Sequence, residues 1–226
     1  MIRMLAFALV WSLAGAAHAH SFWLEPATHE AEFGAPITVE FKVGDAGDVD
    51  DWGLYWERIA AFQLFTDERI TDQQSAVRIT AVGEKGTAQI TPREQGTHII
   101  AFASNPSFSE LEAERFNRYL EHEGLAAITA DREAKGTTGE AGTELYARRA
   151  KTLIKVGDGG GDDIVTRAIG QTLEIVPLNN PFTLAEGEPL RVRILWRGAP
   201  LEGATLNAAQ LDSSGEANSH LTNEMG

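Results

Sequence analysis

Apolar and polar residues alternate with period two through much of this chain. Pro36-Ile37-Thr38-Val39-Glu40-Phe41-Lys42-Val43 puts every second side chain on an apolar face, the pattern of a strand with one buried side. Ile59–Phe65, Ala76–Ala81, Thr87–Ile90 and His98–Ala103 predict further short strands. Between them lie turn-forming clusters such as Gly44-Asp45-Ala46-Gly47 and Gly83-Glu84-Lys85-Gly86. Alternation resumes after Gln171 in Leu173–Pro177, Leu190–Trp196 and Ala204–Leu211, with Arg197-Gly198-Ala199-Pro200 as a turn. Short strands at regular spacing predict a β-sandwich architecture.

The period changes between Ser109 and Lys151. Ser109 and Glu112 have capping-box spacing, Leu111, Phe116, Tyr119 and Leu120 mark an apolar helical face, and Gly124 is a stop. After Leu125 polar residues dominate, and Gly136, Gly139 and Gly142 interrupt any helix. Thr143–Ala150 predicts a second short helix leading into the strand Thr152–Val156. Gly157-Asp158-Gly159-Gly160-Gly161-Asp162-Asp163 is a linker; its aspartates lack the closing Glu of a calcium loop.

The predicted fold is therefore mainly β, with two β-sandwich domains of immunoglobulin or transthyretin type. The first covers 20–157, with a helical insertion at about 109–150. A linker follows at 158–170 and the second sandwich at 171–226. Gly198-Ala199-Pro200-Leu201-Glu202-Gly203-Ala204 resembles a turn of transthyretin-like and carboxypeptidase-regulatory-like domains. An immunoglobulin-like sandwich takes about seven strands in about 100 residues, so the second domain is expected to be incomplete.

The first residues follow a different pattern. Arg3 precedes an apolar run of about 13 residues, short of the roughly 18 needed to span a bilayer. Ala17-His18-Ala19 fits the small-residue cleavage rule. Residues 1–19 are read as a secretory signal peptide, leaving no membrane span in the mature chain. The periplasm is the expected compartment. Loss of Arg3 takes the formal charge from −14 to −15, which argues against nucleic acid and anionic membranes as partners. The chain has no cysteine, so any metal site must use His, carboxylate, Met or the N-terminus.

Cleavage after Ala19 makes His20 the first residue, with an α-amine and an imidazole on one side of a chelate ring. Phe22 at mature position three excludes the amino-terminal copper/nickel motif, which needs His there. No G-x-S-x-G, H-E-x-x-H, cysteine nucleophile or phosphate loop is present, so no enzyme is expected. Trp52, Tyr55 and Trp56 form either a binding lip or a loop folded over a sandwich end. His122, between Glu121 and Glu123, is read as solvated.

His20–Pro26, Arg115–Leu125, Ala150–Gly157, Leu173–Pro177 and Asn180-Pro181-Phe182, in that order, resemble a bacterial family of periplasmic proteins. That family carries a domain of unknown function and is often labelled the periplasmic component of cobalt/nickel uptake systems. The resemblance implies His20 and His98 as metal ligands, the latter in Gly96-Thr97-His98-Ile99-Ile100. It also implies an inner-membrane metal importer as partner. Family members continue through further strands with another histidine, and this sequence ends first. Glu25 is a candidate carboxylate ligand, and His29 ranks below His98. Nitrogen ligands suit Cu(II), then Ni(II), so the expected cargo is Ni, Co or Cu. The alternatives are an exported structural or interaction module and, more remotely, a copper-binding histidine-brace protein.

Overall fold

The structure, a computed structural model, describes residues 21–45, 48–80, 84–159, 162–209 and 218–226. In chain order come strands β1 (Ser21–Pro26), β2 (Glu30–Ala31), β3 (Ile37–Asp45), β4 (Asp48–Asp51), β5 (Ile59–Phe65), β6 (Ile70–Asp72), β7 (Val77–Arg78), β8 (Thr87–Ile90), β9 (Gly96–Ser104) and β10 (Ser107–Leu111). Helices α1 (Ala113–His122) and α2 (Ala126–Lys135) follow. The chain then returns to strands β11 (Gly142–Tyr146), β12 (Arg149–Val156), β13 (Leu173–Pro177), β14 (Val192–Trp196), β15 (Ala199–Pro200), β16 (Thr205–Ala208) and β17 (Asn218–Leu221). The fold is mainly β, as the alternation predicts.

The described residues divide into two compact units, one helical (Leu111–Gly142) and one β (those of 21–110 with 143–226). The β unit is built on two five-stranded sheets. One runs β1-β3-β8-β7, with β4 also on β3; the other runs β2-β12-β9-β5-β6. Register explains why they face each other. Leu24 lies opposite Phe41, Val39 opposite Ala88, and Ile37 opposite Ile90, so the apolar phase of the first sheet is shared across its strands. In the second sheet Phe62 lies opposite Phe102, Leu64 opposite Ile100, and Ile154 opposite His98. The apolar side chains among these join in one buried core with Val156 and Leu54. β9 is buried on both faces: Ile99 and Ala101 point the other way and pack with Phe65 and Ile164 in a second cluster. Ile164 comes from a 3₁₀ turn, Asp163–Thr166, at the junction after β12.

The C-terminal stretch forms two small antiparallel sheets, β13-β14-β15 and β16-β17. The turn expected at Arg197–Pro200 is present. Arg197 and Gly198 both have positive φ (51° and 81°), the backbone of a two-residue hairpin whose twist matches its strands.

The helical unit departs from expectation in three places. Ser109 lies in β10, and Glu112 occupies the N-cap of α1 without a side-chain cap. Residues 126–135, a polar stretch of the expected insertion with no helix predicted, form α2. Ala, Glu, Lys and Arg are strong helix formers, and the first interrupting glycine, Gly136, is its left-handed cap (φ 68°). Thr143–Ala150 is not a helix: Gly142–Tyr146 pairs with β10, and Arg149 already pairs with Ala103 of β9. Sheet pairing overrides local propensity there. The strand expected at Ala76–Ala81 is also shorter. A 3₁₀ turn at Gln74–Ala76 precedes a strand of only Val77–Arg78, and Ala81 lies outside the described residues.

Candidate functional site

Residues 1–19, expected to be a signal peptide, and His20 lie outside the described residues. The first described residue, Ser21, is already in β1, opposite Gly44. The next side chain, Phe22, turns inward with its ring 5.5 Å from Phe102. This end of β1 therefore lies at the Phe102 end of β9.

His98 also points inward on β9, but four residues back, about 13 Å along the strand at 3.3 Å per residue. The chain confirms that direction, because Lys155, opposite Thr97, donates its N–H to the carbonyl of His29 (2.7 Å). His98 is 1% exposed, and neither ring nitrogen meets hydrogen-bond geometry, although the Glu94 backbone lies close enough to favour the charged ring. Burial holds its imidazole below the usual 6.5, while Glu94 and Asp67 favour the charged ring. Both carboxylates are themselves engaged, Glu94 with Arg69 and Asp67 with Arg167 (3.3 Å). His98 is thus a neutral imidazole at the far end of the core from Ser21.

Glu25 faces outward. It accepts a hydrogen bond from Trp23 Nε1 (3.3 Å) and stands opposite Glu40 on β3. Burial pushes Glu40 up, but hydrogen bonds from Lys85 and Lys42 outweigh it and hold the carboxyl below its usual range. Lys42 also binds Asp51 (2.7 Å). Glu25 therefore belongs to a charged ladder on the outer sheet face, and the structure does not bring it to His98.

His29 is used structurally: its Nδ1 hydrogen-bonds the Leu153 carbonyl (2.8 Å). His122 is exposed beside Glu123 (2.9 Å), and His220 is exposed on β17. Among the described residues no three His, Asp or Glu side chains are gathered to hold a metal ion.

The aromatic segment folds over the sandwich end, with Trp52 packed on the core. Trp56 is exposed, and Tyr55 lies beneath the Arg58 guanidinium at 4.3 Å. A family model describing a domain of unknown function, DUF4198, matches residues 17–225. The chain belongs to the DUF4198 family. Comparison with curated proteins and with solved structures gives no match.

Within this DUF4198 chain, sequence reasoning missed two residues at the Ser21 end, Arg58 and Arg148. Each immediately precedes a strand flanking β9. The only available signal was a basic residue at a strand start, which means nothing until the order β12-β9-β5 is known.

Proposed function

We propose that this protein is exported to the periplasm and that its mature N-terminal His20 binds a divalent transition metal, Ni or Co in first place and Cu next. In this reading it presents the ion to an inner-membrane importer. The observation that carries the reading is the junction itself. A small-x-small cleavage motif stands directly before His20, and Ser21, the first described residue, is already paired with Gly44 in β1. The donor set fits borderline metals: an amine and an imidazole nitrogen form one chelate ring, and no thiolate competes. Glu25, on the outer sheet face, and His98, in the core, are left out of this donor set, which leaves further coordination positions for solvent or a receiving protein. Open positions suit a carrier that must release its ion. The amine must lose its proton, so affinity rises from pH 6 to pH 8.

Calorimetric titration of the chain beginning at His20 with Ni(II), Co(II) and Cu(II) tests this. One-to-one binding that weakens at least a hundredfold when one residue precedes His20 supports it. Equal binding by the extended chain, or none by either, overturns it.

A second reading, an exported interaction module, draws on a different observation. Leu173, Ile175 and Trp196 are exposed on one face of the β13–β14 pair.

A further inference from the structure

A cationic, aromatic cluster is built at the end of the β unit where β1 begins. Its scaffold is the end of β9. The Ser104 amide donates to the Arg148 carbonyl and the Asn105 amide to the Arg58 carbonyl, both at 2.9 Å. The two arginines thus sit at the starts of the strands on either side of β9, two strand spacings apart, or about 10 Å. Their side chains converge on Trp52. Arg58 Cζ lies 4.7 Å from its ring centroid and Arg148 Cζ 5.8 Å. Arg58 also covers Tyr55, while Arg148 lies over Phe22 (5.3 Å) and Tyr146 (5.6 Å).

Two guanidinium groups around one indole repel each other. Burial and then the charge of Arg58 both disfavour the charged Arg148, against a favourable contribution from Tyr146. Cation–π contacts, worth about 0.5–2 kcal/mol each, compensate in part. Arg58 is half-buried, and among the described residues its guanidinium hydrogen-bonds the Gly53 carbonyl through Nη1 (3.1 Å). Among the described residues no ion pair joins it to a carboxylate. A guanidinium presents five N–H donors in a planar fork suited to oxyanions. In a chain of net charge −14, a locally positive patch with its charged groups held in place by rings is a specific feature.

We propose that the Arg58–Trp52–Arg148 cluster is a binding site for an oxyanion, a carboxylate or a phosphate, engaged by the fork of Arg58 and framed by Tyr55, Tyr146 and Trp52. The site is independent of metal binding at His20 and survives the failure of that reading.

Isothermal titration of the whole mature chain at low ionic strength, with inorganic phosphate and with succinate as probes, tests the site. Saturable binding of either probe is expected; phosphate alone would assign a phosphate ligand and succinate alone a carboxylate. Arg58→Gln weakens binding at least fivefold, with unchanged circular dichroism as the folding control. Arg58→Lys keeps the charge but loses the fork, so it falls between the two. It also decides the matter if Arg58→Gln does not fold. Absence of saturable binding for both probes overturns the proposal, as does wild-type affinity in whichever of these variants fold.

Discussion

His98 is the residue whose surroundings conflict most with its chemistry. An imidazole placed opposite Ile154, on the core face with Ile100 and Phe102, is almost wholly shielded from solvent, and the favourable influence of Glu94 and Asp67 does not offset that burial. Its folded-state pKa lies below the unfolded value of 6.5, so the unfolded chain binds the extra proton first as pH falls. Stability attributable to this group is therefore intact above pH 6.5. It is lost as pH drops from 6.5 toward the folded pKa, at a limiting slope of about 1.4 kcal/mol per pH unit. Urea denaturation at pH 7.5, 6.5 and 5.5 should show the loss in the wild type. His98→Leu should flatten it, since the variant has nothing to protonate there. A wild-type slope in the variant would mean that other groups carry the dependence. The histidine was visible in the sequence; its isolation was not, because that depends on which strands flank β9.

At the scale of elements, the legible parts are those with one wet face. β3 and β8 present one apolar side each, and period two found them. α2 was illegible for the opposite reason. Its buried residue is not apolar but Arg132, whose Nε donates to Asn117 Oδ1 (3.2 Å) and whose Nη2 donates to the carbonyls of Thr137 (2.8 Å) and Glu140 (2.7 Å). The same guanidinium lies over the Phe116 ring at 4.9 Å. A pattern search for apolar stripes cannot recognise a helix organised around an arginine. Gly142 closes the unit, since a Cβ there would come within 2.0 Å of Phe116. Arg132→Met keeps the bulk and removes the donors, leaving two carbonyls unsatisfied. We expect it to destabilise the helical unit by about 1.5–3 kcal/mol, the range for hydrogen bonds to charged groups. Faster amide exchange confined to 111–142, with β9 unchanged, would confirm the assignment. Uniform acceleration across the chain would refute it.

On the scale of the whole molecule, a buried carboxylate helps tie the C-terminal strands to the sheet that contains β12 and β9. Glu174 of β13, with its side chain 1% exposed, accepts the amides of Ile169 (2.8 Å), Gly170 (2.9 Å) and Gln171 (3.1 Å) and pairs with Lys151 of β12 at 2.7 Å. Burial lowers the Lys151 pKa, and Glu174 raises it again. Removing one partner of a buried pair typically costs about 3–5 kcal/mol, so Glu174→Ala should lower the urea midpoint strongly. The double variant Lys151→Met with Glu174→Leu should recover only part of that, because three backbone amides remain without an acceptor. Full recovery would show that the ion pair alone mattered. In the sequence Glu174 looks like the polar phase of an ordinary alternating strand, solvent-facing by default. Only the return of the chain past Ile169 to Gln171 makes that phase an interior one.

The aromatic contacts across the core carry a further consequence, one of light rather than energy. Trp52 stands edge-on to Phe22 of the first sheet at 4.9 Å and to Phe102 of the second at 5.7 Å. Phe41 and Phe62 stand around the same Phe102 at 5.2 and 6.5 Å. An indole fixed in so asymmetric a setting absorbs left- and right-handed light unequally. Its near-ultraviolet dichroism is therefore an internal gauge of whether the two sheets are in register. That band would fade if the sheets slid apart while their strands, and the far-ultraviolet signal, persisted.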